Sequence, residues 1–101
     1  MVYRLRIRNE AKADLAAAVD YYDGIEASLT PRLLDNFQKC VRRLTVFPLA
    51  GPLVYQDFRR VVLTSFPYNV FYRVVGSEVF VVAVIHQRRD PDHSRRTVLG
   101  R

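Results

Sequence analysis

The segment Val84-Ile85-His86-Gln87-Arg88-Arg89-Asp90-Pro91-Asp92-His93-Ser94-Arg95-Arg96 holds both histidines of the chain, two carboxylates and four arginines. Three chemistries could use such a set. A metal site would draw on His86, Asp90, Asp92 and His93, but the spacing H-x3-D-x-D-H matches no arrangement with a coordination rationale, and a proline interrupts it. Neither a metal nor a cofactor is expected. Metal-free cleavage of RNA needs a base for the 2′-hydroxyl proton, an acid for the leaving oxygen and cations to steady the phosphorane. His86 could act as acid or base, with Arg59, Arg60 and Arg73 beside it if their strands bring them to one face. The third use is plain holding. The planar fork of arginine grips phosphate or carboxylate through paired bonds, so Arg88, Arg89, Arg95 and Arg96, with Arg59, Arg60 and Arg73, would form a charged hook for a macromolecule. Cys40 adds no nucleophile, because it falls on an apolar helical stripe with no histidine near it in sequence. The residues by themselves leave cutting and holding both open.

These side chains need a scaffold, and hydrophobic spacing outlines one. Tyr3, Leu5 and Ile7 alternate with Arg4, Arg6 and Arg8, the period-two pattern of a strand with one apolar and one charged face. Asn9 is a candidate N-cap for a first helix, whose stripe is Ala11, Leu15, Ala18, Val19, Tyr22 and Ile25. Thr30 and Pro31 open a second helix with the stripe Leu33, Phe37, Cys40, Val41, Leu44 and Phe47. Phe47-Pro48 and Gly51-Pro52 end it, and residues 48 to 55 read as a loop. Phe58 to Leu63, Asn69 to Val75 and Glu78 to Gln87 then form a three-stranded antiparallel meander, with Gly76-Ser77 as a type II′ turn. The run Val79 to Ile85 is apolar throughout and belongs inside the sheet, whereas the first strand, with arginines on one side, suits an edge beside the last strand. The expected class is α+β: a four-stranded sheet with a helical hairpin on one face. Asp90-Pro91 is expected to close the regular structure, leaving residues 90–101 as a partly mobile polar tail of a single domain spanning residues 1–101.

Half of the 101 residues are apolar, enough for one core that buries ~60–70% of the surface exposed by the unfolded chain. Sixteen basic against ten acidic side chains leave a charge of +6, and fourteen of the sixteen are arginine. The charge sums to −1 over residues 1–30, +4 over 31–60, zero over 61–85 and +3 over 86–101. Beyond solubility, that balance points to an anionic partner. One cysteine excludes a disulfide framework, so a reducing compartment, the cytoplasm, is the expected setting. Arginines punctuate the first residues where a signal peptide needs an apolar stretch, and Val79 to Ile85 is too short to span a bilayer.

Several local signatures, taken in order, are similar to the ParE branch of the RelE/ParE superfamily of bacterial toxin–antitoxin modules, known for plasmid stabilisation. They are Ala11-x-x-Asp14-Leu15 followed by Tyr21-Tyr22, Phe47-Pro48-x-x-Gly51, Phe58-Arg59-Arg60, Phe66-Pro67-Tyr68-x-Val70-x-Tyr72, and Val84 through Pro91. The resemblance covers nearly the whole chain. It implies a small toxin neutralised by a cognate antitoxin, with one of two targets: DNA gyrase, poisoned without a hydrolytic centre, or messenger RNA cut on the ribosome. The ribonuclease branch uses basic residues on central strands and a tyrosine, or a histidine and tyrosine, near the C-terminus. Here no tyrosine follows Tyr72 and no lysine follows Lys39, so His86 or His93 would have to serve. Gyrase poisoning by holding, with no catalytic residue, is therefore the expected activity, with mRNA cleavage and a non-toxic nucleic-acid-binding module as its alternatives. A basic surface with an apolar groove would favour an acidic antitoxin segment that orders on binding, and the first helix, through Leu15, Val19, Tyr21 and Tyr22, is expected to supply that groove.

Overall fold

A computed structural model describing residues 1–101 orders the elements as β1 (Arg4–Ile7), α1 (Asn9–Asp23), α2 (Leu29–Val46), β2 (Leu53–Tyr55), β3 (Phe58–Val62), β4 (Tyr68–Val75), β5 (Glu78–His86) and α3 (Pro91–Leu99). The strands lie in the order β1-β5-β4-β3-β2, with β1 parallel to β5 and every other pair antiparallel. The α+β meander with its helical hairpin is thus present, and β1 takes the edge beside the last strand. The sheet has five strands instead of four, because Leu53–Tyr55, within the expected loop, pairs briefly with β3. Gly76 adopts φ +58 and Ser77 does not, which fits the expected II′ turn.

Helix limits shift for local reasons. Arg8, not Asn9, occupies the N-cap of α1, and α2 starts at Leu29 behind Ser28; neither cap residue makes a side-chain cap bond. Thr30 instead ties its hydroxyl to Asp23, bracing the short connection between the helices. Ile25 and Phe47, placed on the apolar stripes by spacing alone, lie beyond the helices and are exposed. The tail is not irregular either. Asp90 Oδ1 accepts from Asp92 N–H at 3.0 Å and Pro91 takes the first helical position, so the Asp-Pro pair opens α3 instead of ending the structure.

Both sheet faces are covered. Ala11, Leu33, Phe37, Val41 and Leu44 of the hairpin pack on Val70, Tyr72, Val79, Val81 and Val84. The opposite face buries Phe58, Phe71, Val82, Ala83 and Ile85 under Val98 of α3. A bulge makes this possible. Phe71 opposes Ala83 while Tyr72 opposes Val81, so Val82 is extra and the inward parity of β5 switches from Val81 to Val84. No helix is long and apolar enough to cross a membrane.

Candidate functional site

Beyond Arg8, whose N–H donates to Val81 O, β5 has no strand on its β1 side. Its backbone groups there are met by side chains. Val84 N–H donates to Asp14 Oδ2 at 3.0 Å, and Arg101 donates to Val82 O at 3.0 Å while gripping the Asp14 carboxylate through bonds of 2.5 and 3.1 Å. Asp14 lies on the buried side of α1, three residues after Ala11 and four before Ala18, both core residues. A carboxylate on an apolar stripe needs partners, and these are its partners. Hydrogen bonding to Asp14 raises the Arg101 pKa against the opposing effect of burial.

Next to this clamp opens a cleft of about 260 Å³, walled by α1, the end of β5 and α3, which gathers Tyr21, Tyr68, His86, Arg89 and His93 around Asp14. His86 ends β5 opposite Tyr68, and the two rings meet edge to face at 5.1 Å. Its Nδ1 accepts from Arg88 N–H at 3.0 Å, so the neutral imidazole carries its proton on Nε2. Burial raises the pKa of the Tyr68 phenol, with Tyr22 and Tyr21 adding to the effect, and keeps it a donor at neutral pH.

Arg88 and Arg89 are exposed in the turn after β5, and Arg95 and Arg96 are exposed on α3. None of the four forms an ion pair. The strand arginines go elsewhere. Arg59 Nη1 donates to Gly51 O at 2.8 Å, and Arg73 lies 5.4 Å over the Phe58 ring and 3.7 Å from Asp57. By alternation, Arg60 and Arg73 belong to the Phe58 and Phe71 face, opposite the face that His86 shares with Tyr68. Arg59 shares the face of His86 but opposes Tyr72, four positions along β4 from Tyr68, roughly 13 Å at strand spacing. His86 and the three strand arginines therefore do not converge. Of the four residues expected to form a groove on α1, Leu15, Val19 and Tyr22 pack against the core and Tyr21 stays exposed.

Sequence reasoning passed over Asp14, Tyr68 and Arg101 as site residues. Only Asp14 had a readable signal, its polar character on an apolar stripe.

The family model for the ParE toxin of type II toxin–antitoxin systems (parDE) matches residues 5–91. Toxin ParE2 of Mycobacterium tuberculosis H37Rv is 29% identical over 102 residues, covering 100% of this chain and 97% of that protein. Among solved structures, the chromosomal ParDE system of P. aeruginosa matches with TM-score 0.64 at 21% identity over 84% of this chain and 96% of the other. An arginine double mutant of free E. coli RelE matches with TM-score 0.65 at 19% identity over 99% and 97%. The RelBE2 toxin–antitoxin complex of M. tuberculosis matches with TM-score 0.62 at 20% identity over 85% and 99%. These structural likenesses establish the shared fold.

Proposed function

Because the chain belongs to the ParE toxin family of type II toxin–antitoxin systems, we propose that it arrests growth by holding DNA gyrase in a state with cleaved DNA, and that a cognate antitoxin neutralises it. The observation that carries this reading is the margin formed by Arg88, Arg89, Arg95 and Arg96: four exposed arginines without ion-pair partners, beside a turn fixed by His86. Unpaired guanidinium groups at a surface are ready to take phosphate or carboxylate without first breaking an internal bond. The dispersal of Arg59, Arg60 and Arg73 supports holding over cutting, since phosphoryl chemistry needs cations and acid–base groups at one point. Two M. tuberculosis and P. aeruginosa neighbours solved as toxin–antitoxin systems support the antitoxin partner.

Ribosome-dependent mRNA cleavage is the second reading, and one observation favours it: His86, His93, Tyr68 and Arg89 share a cleft. Such a group could supply base, acid and cation without a metal.

One induction experiment separates them. Gyrase-linked, linearised DNA supports poisoning; truncated ribosome-associated messages, lost in His86→Ala, support the nuclease. Arg88→Ala with Arg89→Ala should relieve arrest by weakening target affinity about 2 kcal/mol, the scale of interfacial arginine anchors, while antitoxin binding persists. Undiminished toxicity in that variant removes these two residues from the target contact.

A further inference from the structure

The 260 Å³ cleft has the lining of a pocket for one flat, polar ring. Three elements supply its aromatic walls: Tyr21 from α1, His86 from β5 and His93 from α3. Tyr21 is 60% exposed, yet it is braced. Tyr22 meets it edge to face at 5.1 Å and lies 6.3 Å from the ring of buried Tyr68, which also packs on His86. An exposed ring held in place by buried ones offers a stacking surface that loses little freedom when it is covered.

The polar groups around it fall into two sets. The outer set is cationic: Arg88 and Arg89 are exposed after β5, and Arg96 neighbours His93 on α3, three residues on; none is ion-paired. Arg95 lies on the opposite side of α3 from His93 and Thr97 and takes no part. The inner set is neutral in sum. Asp14 and Arg101, with side chains 21% and 20% exposed, cancel each other's charge, and Asp14 Oδ1 accepts only from Arg101 Nη2 at 3.1 Å, so it keeps an acceptor site. His86 offers Nε2–H as a donor and Thr97 a hydroxyl. Phosphate is drawn to the outer set and repelled by the inner carboxylate, whereas a base with an exocyclic amine can donate to that carboxylate.

We propose that this cleft receives one unpaired base of a DNA strand, stacked on Tyr21 and read through Asp14 and His86, while Arg88, Arg89 and Arg96 hold the phosphates beside it. The inference rests on the gyrase reading; it adds that the arginine margin grips the DNA of the enzyme–DNA complex. The base must be unpaired because the inner groups read the edge that pairing would occupy, and a base next to a cut, having lost a stacking neighbour, costs least to turn out. The pattern of the site selects the occupant. A nucleic-acid strand places a flat ring next to an anionic group, as the site places rings next to cations. An acidic peptide would satisfy the arginines and leave the rings unused, and a second copy of this chain would bring another +6.

Fluorescence anisotropy with the full chain and short 5′-labelled oligonucleotides tests this. Oligo(dC) is expected to bind at least about fivefold more tightly than oligo(dT), which lacks the exocyclic amine, and more tightly than a duplex of the same length. Tyr21→Ala is expected to weaken oligo(dC) binding at least about fivefold and Tyr21→Phe to keep it. Arg89→Ala is expected to lower the slope of log affinity against log salt by about 0.7, the loss of one phosphate contact on a single strand. Arg4→Ala, which sits beside Glu78 at the other end of β5 from His86, should leave that slope unchanged. Each variant is first shown to keep the wild-type circular dichroism spectrum. Equal affinity for oligo(dC) and oligo(dT), undiminished binding by Tyr21→Ala, or a duplex bound as tightly as the single strand overturns the pocket; gyrase-linked DNA that still accumulates on induction then leaves the gyrase reading standing without it. An RNA strand bound more tightly than DNA, and cut, overturns both.

Discussion

Tyr72 makes its phenol a two-sided tie: it donates to Pro48 O at 2.8 Å and accepts from Gly51 N–H at 2.9 Å. Arg59 completes the knot through Gly51 O, so the loop leaving α2 is fixed to β3 and β4 at three points. A Cβ on residue 51 would come within 2.5 Å of Arg60 O and 2.9 Å of the phenol, so glycine is required there by close approach. Tyr72→Phe strands the buried Gly51 N–H and should cost about 1–3 kcal/mol in urea unfolding at neutral pH; Gly51→Ala, which pushes backbone against backbone, should cost at least about 1–3 kcal/mol. Burial raises the Tyr72 pKa above its ordinary 10.0, opposed by the Gly51 bond and by Arg59. The folded state then holds that proton more tightly than the unfolded chain, so this contribution to stability is present at neutral pH and is lost as pH rises past 10. The gap between wild type and Tyr72→Phe should therefore narrow in unfolding measured above pH 10. A gap that is constant or widens would show that the phenol does not titrate as its burial requires. In sequence, Phe47-Pro48-x-x-Gly51 and Tyr72 were legible as signatures but not as partners, since their contact spans 21 residues and depends on sheet register.

At the scale of elements, the bulge at Val82 organises the end of the molecule that carries the arginine margin. It turns Val82 and Ala83 toward α3, returns Val84 to the helical hairpin, and leaves strand-edge groups that Asp14 and Arg101 satisfy. Asp14→Ala removes the acceptor of Val84 N–H and the partner of Arg101 together, which should cost about 1–3 kcal/mol. Val98→Ala opens a gap over Phe71, Ala83 and Ile85 and should cost a similar ~1–3 kcal/mol, whereas Arg95→Ala on the exposed side of α3 should stay within about 0.5 kcal/mol. Equal losses in thermal or urea unfolding for Val98→Ala and Arg95→Ala would mean that α3 is not packed as described. Periodicity made β1, both hairpin helices and the meander readable because each has a long, regular apolar pattern. It failed at β2, three residues between Pro52 and the positive-φ Gln56, and at α3. There the same Asp-Pro pair is a stop signal to the preceding strand and a start signal to the following helix. The tie-breaker, burial of Ser94 and Val98 one turn apart, needs the sheet face they cover.

For the molecule as a whole, the question is how a small basic chain distributes its charge over its surface. The 260 Å³ cleft beneath the arginine margin and a 530 Å³ trough along β3 share no lining residue, so the chain presents two separate concave surfaces. Ion pairing inside the chain uses only Arg6, Lys39, Arg73 and Arg101, and most of the +6 excess is left at the surface. Exposed charges of that kind speed encounter more than they strengthen the final complex, and they are screened beyond about 8 Å at physiological ionic strength. The association rate with the proposed antitoxin should then fall at least about tenfold between 0.05 and 0.5 M salt while the dissociation rate changes far less, because charge guides encounter more than it holds a formed complex. Stopped-flow measurement across that range decides the matter. A salt-insensitive association rate would assign the arginine excess to solubility alone, and a dissociation rate that climbs as steeply as association falls would place ion pairs, instead of apolar contact, at the centre of the complex.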